Sequence, residues 1–81
     1  MTPEQRQTNA KRLLEDDLFA ESIEALKAQL QHEWSVTDKH DIESREQIWL
    51  ELKLVDRLVG HIQSIFEEGQ ITKFTSTMRN I

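Results

Sequence analysis

From Ile48 to Phe66 large apolar residues return at alternating steps of four and three: Ile48, Leu52, Val55, Val59, Ile62 and Phe66. That heptad rhythm predicts a helix whose seam lies against another helix. A second row, Leu54, Leu58 and Ile65, follows one shoulder of the seam, and Leu50 and Trp49 lie further out. Together the two rows span about 160° of a helical wheel. An earlier stretch repeats Phe19, Ile23, Leu26, Leu30 and Trp34, a stripe only about 80° wide. The start of the chain is poorer still, with Ala10, Leu13 and Leu14 as its one apolar edge.

Capping chemistry sets the boundaries. Thr2 precedes Pro3, and Gln5 follows three residues after Thr2, as a capping box requires. The first helix is expected from Pro3 to about Glu15, and so short and polar a helix needs something to lean on. Adjacent Asp16 and Asp17 favour caps over helix interiors, which predicts a break or bend there. The second helix is then expected over about 18–35. The segment "SVTDKHDIES" is the clear loop, and the third helix is expected to start between Asp38 and Asp41 and to end near Glu68, with Gly69 as its cap. A short link between two long helices implies an antiparallel hairpin. The expected fold is all-α: that hairpin with a coiled-coil-like seam and a short N-terminal helix. Residues 1–69 form one helical domain, and residues 70–81 a C-terminal tail.

The mismatch in width between the two stripes leads to the main functional expectation. The second helix covers one row of the third, and the Leu13/Leu14 edge covers part of the other. Leaving three or four large aliphatic residues bare forgoes several kcal/mol, at about 25 cal/mol per Å², in a chain whose whole stability is of that order. The surplus is therefore read as an interface formed by Trp49, Leu50, Leu54, Leu58, His61 and Ile65, meeting a second copy or another protein. The competing arrangement is a three-helix monomer in which the first helix folds back over the gap.

Some positions stay open at this level. Gly60 either permits close helix approach or is a tolerated surface residue. Glu51, beside the shoulder, is either a rim carboxylate or half of a buried pair with Arg12 or Arg45. Trp34 and Trp49 are expected to close the loop end of the core, with Trp49 the better anchor for a different partner. In the tail, Ile71, Phe74, Met78 and Ile81 recur at steps of three, four and three. That spacing allows a disordered end, an arm docking on its own or a sister subunit, or a peptide folding onto a partner.

Composition narrows the classes. The chain has 81 residues, no cysteine and a formal net charge of −5. Residues 1–69 hold fifteen acidic and eight basic residues, while 70–81 hold only Lys73 and Arg79. An acidic body argues against direct nucleic-acid binding, which needs a basic face. No apolar run reaches the roughly 18–20 residues of a membrane span, and "MTPEQRQTNAKR" has no signal-peptide core. His32, His40 and His61 form no metal-binding spacing, and no phosphate loop or activated nucleophile is present. The expectation is a protein that is not an enzyme, without cofactor, metal or membrane, in a cytoplasm.

The segments "AKRLLEDDLF" (10–19), "SREQIWLELKLVDRL" (44–58) and "EEGQI" (67–71), with Trp34 between them, resemble small all-helical proteins of unassigned function encoded by tailed bacteriophages near head-assembly genes. In those proteins a proline often follows the acidic residue at the first break; Asp17 stands here. The resemblance spans about residues 10–71 and carries over no functional residues. It implies a phage accessory or virion-assembly component, working as a homo-oligomer (a dimer is favoured) in the host cytoplasm or the virion, with a phage structural or host protein as partner. The alternative is an acidic inhibitor that binds a basic surface of a host nucleic-acid-handling protein.

Overall fold

A computed structural model describes residues 1–79, with side chains described as far as Gly69. Three helices occur in order, α1 (Pro3–Glu15), α2 (Asp17–Val36) and α3 (Ile42–Arg79), and the described residues contain no strand. The start follows the capping chemistry of the sequence. The Thr2 hydroxyl accepts from the Gln5 amide at 3.1 Å, and the Gln5 side chain accepts from the Thr2 amide at 2.9 Å. At the break, Asp16 leaves helical geometry with ψ at 122°. Its carboxylate accepts from the Phe19 amide at 2.8 Å, so Asp16 ends α1 and caps α2.

The link between α2 and α3 is tied by one side chain. Arg45 Nε donates to the Thr37 hydroxyl at 2.8 Å, and the guanidinium lies 4.3 Å from the Trp34 ring centroid. Such a cation over an indole face adds about 0.5–2 kcal/mol, depending on how dry the site is. Asp41 caps α3, its carboxylate accepting from the Ser44 amide at 3.2 Å. Beyond this clamp, Lys27 of α2 meets Asp56 of α3 at 3.1 Å, and Gln7 of α1 packs against Gly69. Contact positions thus fall along α1 and α2 as they rise along α3.

The molecule is a rod of 62 × 23 × 20 Å with a radius of gyration of 17.9 Å. A compact chain of this length would have a radius near 12 Å. Its core is correspondingly thin. Ala10 and Leu30 are its buried apolar residues among those described, and the seam residues Ile48, Leu52, Val55, Val59, Ile62 and Phe66 are each only partly buried. The exposed area is 6795 Å². A folded monomer of 9.6 kDa typically exposes about 5,100 Å².

Gly69 departs from the expected cap. α3 runs through it to Arg79, and no glycine has a positive φ. Its missing side chain serves another purpose: a Cβ there would overlap the Gln7 side chain, reaching within 2.7 Å of Gln7 Cβ. Gln7 is buried, so α1 rests on α3 where Gly69 leaves the backbone bare. Gly60 differs, because an added Cβ meets nothing within 4 Å. The same substitution should therefore change sign between the two sites. Gly60→Ala is expected to stabilise the helix by about 1 kcal/mol. Gly69→Ala is expected to destabilise by about 1 kcal/mol net, overpacking exceeding the gain in propensity. Thermal melts followed by circular dichroism measure both.

Candidate interaction surface

Leu50, Leu54 and Leu58 are 55%, 65% and 52% exposed. Spaced by four, they form one line down the flank of α3. The flank is fixed by the ion pair: Lys27 and Asp56 bridge α2 and α3 on one side of the seam. On the wheel of α3, Leu54 and Leu58 lie on the other side, and Leu26 does so on α2. His61 is exposed one turn beyond Leu58, on the same flank.

Ile65 continues this line, but α1 reaches it. Ile62 and Ile65 join Met1, Arg6, Asn9, Ala10 and Leu13 around an open depression of about 200 Å³. That is below the size usual for small-molecule sites. α1 therefore covers the shoulder near Ile62, Ile65 and Gly69 and leaves the shoulder from Leu50 to His61 open.

Trp49 does not belong to this surface. It projects from α3 about 100° to 180° around the helix from the three leucines, half exposed, with the Lys53 ammonium 5.3 Å from its ring centroid. The expectation that both tryptophans close the core therefore fails for Trp49. Trp34 sits at the loop end under Arg45 but is itself 42% exposed, so it closes the core only in part. Glu51 is exposed, and the guanidinium of Arg45 is turned to Thr37 and Trp34 instead, which leaves Glu51 as a rim carboxylate. The tail positions Ile71, Phe74, Met78 and Ile81 lie outside the residues whose side chains are described.

Sequence reasoning missed Arg45 as the clamp of the turn and Gln7 as a buried contact. A signal existed for Gln7, which lies three residues before Ala10 and therefore on the same face of α1. Among the described residues, no group of histidine, aspartate and glutamate side chains could hold a metal ion, and no helix is long and apolar enough to cross a membrane. Comparisons with known protein families, with curated proteins and with solved structures returned no match in any of the three.

Proposed function

We propose that this chain is a non-enzymatic interaction protein that acts as a homodimer through the open flank of α3. The observation that carries the reading is the continuous line Leu50–Leu54–Leu58, each more than half exposed on a helix whose seam is already in use. Burying an exposed leucine fully is worth about 1.5–3 kcal/mol, so covering this line supplies stability that a thin core lacks. In this reading α2 and α3 form an antiparallel hairpin with a coiled-coil-like seam, and α1 extends it. The descending order of contacts from Trp34–Arg45 through Lys27–Asp56 to Gln7–Gly69 favours that arrangement.

Light scattering across a concentration series tests it. The expected result is a mass that rises toward two chains in the micromolar range; a single-chain mass at millimolar concentration would overturn the reading. The biological setting proposed is a phage accessory or virion-assembly component, for which co-purification with coat or portal protein is the expected result. A second reading has its own observation. Asp17, Glu21 and Glu24 are exposed together on the outer face of α2, an acidic ridge suited to a basic protein surface. Salt-sensitive capture of one nucleic-acid-handling protein would favour that inhibitor role instead.

A further inference from the structure

The polar margin of the open flank has a direction. At its N-terminal end it carries Glu43 and Glu46, and at its C-terminal end Lys53, Arg57 and His61, with Leu50 and Leu54 between. Glu43, Glu46, Arg57 and His61 are all exposed. Arg57 has Lys53 and His61 as its neighbours one turn away, and Glu46 has Glu43, Ile42 and Leu50. Among the described residues neither Arg57 nor Glu46 makes an ion pair within the chain. One end of the flank is therefore acidic, the other basic, and neither Glu46 nor Arg57 has an opposite charge three or four residues away on its own helix.

Resting on the dimer reading, we propose that the second copy lies antiparallel along this flank, with the two-fold axis passing close to residue 52. In that register Leu50 of each copy faces Leu54 of the other. Glu46 faces Arg57 and Glu43 faces His61, each pair occurring twice by symmetry. Antiparallel helices bring the same margin of each together, so the acidic end of one copy lies along the basic end of the other. A parallel pair instead sets Glu46 against Glu51 of the opposite copy and leaves Arg57 beside apolar residues, which disfavours it.

α1 selects the same register independently. It covers α3 around Ile62, Ile65 and Gly69 and leaves the flank open from the helix start at Ile42 to His61. The middle of that open stretch is again near residue 52. A copy shifted further toward the C-terminus of α3 would run into α1, and one shifted toward the loop would uncover Leu58. On the other margin the two Glu51 carboxylates approach the axis and repel, which keeps the association modest.

The absence of cysteine makes site-specific labelling clean. A spin label on Glu67→Cys lies outside the contact. Antiparallel copies should place two such labels about 45 Å apart, at 1.5 Å rise per residue. Parallel copies should place them within about 20 Å, given interaxial distances of 8–10 Å. Arg57→Glu and Glu46→Arg are each expected to raise the dimer dissociation constant about tenfold, because each change removes two pairs, and the double variant should recover most of that loss. A dimer with the short label distance, or a double variant no better than either single one, would overturn the antiparallel register while leaving self-association intact. A wild-type chain that stays single at millimolar concentration would instead remove the dimer reading beneath it.

Discussion

Leu54→Asp is expected to leave a helical chain that no longer dimerises. Leu54 is 65% exposed within one chain, so a carboxylate there stays largely in water in the monomer. In the antiparallel dimer it would sit against Leu50 of the other copy, and the charge would lose its water without gaining a partner. Burying an unpaired charge costs several kcal/mol, and the substitution acts twice. The dissociation constant should rise at least a hundredfold, read by sedimentation equilibrium, with far-ultraviolet circular dichroism of the variant unchanged. A variant that dimerises like the parent would place the interface elsewhere.

Leu30→Ala is the complementary case, in which folding itself should be weakened. Leu30 is the one buried residue of α2, 6% exposed, and sits mid-stripe between Leu26 and Trp34. Truncating a buried leucine to alanine costs about 2–5 kcal/mol, depending on how far the site collapses. A chain of this size has roughly 4–12 kcal/mol in total, at 0.05–0.15 kcal/mol per residue. Urea denaturation at fixed protein concentration should show a midpoint shifted down by a large fraction, since oligomerisation makes stability depend on concentration. Ile48→Ala, on the seam but only partly buried, should cost less.

What the sequence made legible follows from how local each signal is. The three helices show because periodicity and caps are properties of a few neighbouring residues. Thr2 with Gln5, and Asp16 beside Asp17, indicated a helix start and a helix break that the hydrogen bonds reproduce. The width of the apolar face of α3, compared with the stripe of α2, pointed to the open leucines for the same reason. Gly69 misled because a glycine after two acids reads locally as a cap. Its role is set by Gln7, far away in the chain, and α3 continues past it. Trp49 was grouped with Trp34 by nearness across the loop, whereas the 100° step from Ile48 carries it off the seam. Arg45 had too many candidate partners, Glu51 among them, for sequence alone to select Thr37 and Trp34.

The contact between Gln7 and Gly69 also orders events during synthesis. Trp34 and Arg45 are joined by a short turn, so the reversal of the chain can form as soon as both have left the ribosome. α1 emerges before α2 and α3, yet its resting place lies roughly sixty residues downstream, a separation that makes loop closure slow and late. Until that part of α3 is translated, α1 lacks most of its packing surface, and the nascent chain exposes a short, marginal segment to chaperones and proteases. Of the three helices, the earliest in the chain waits longest for its packing surface.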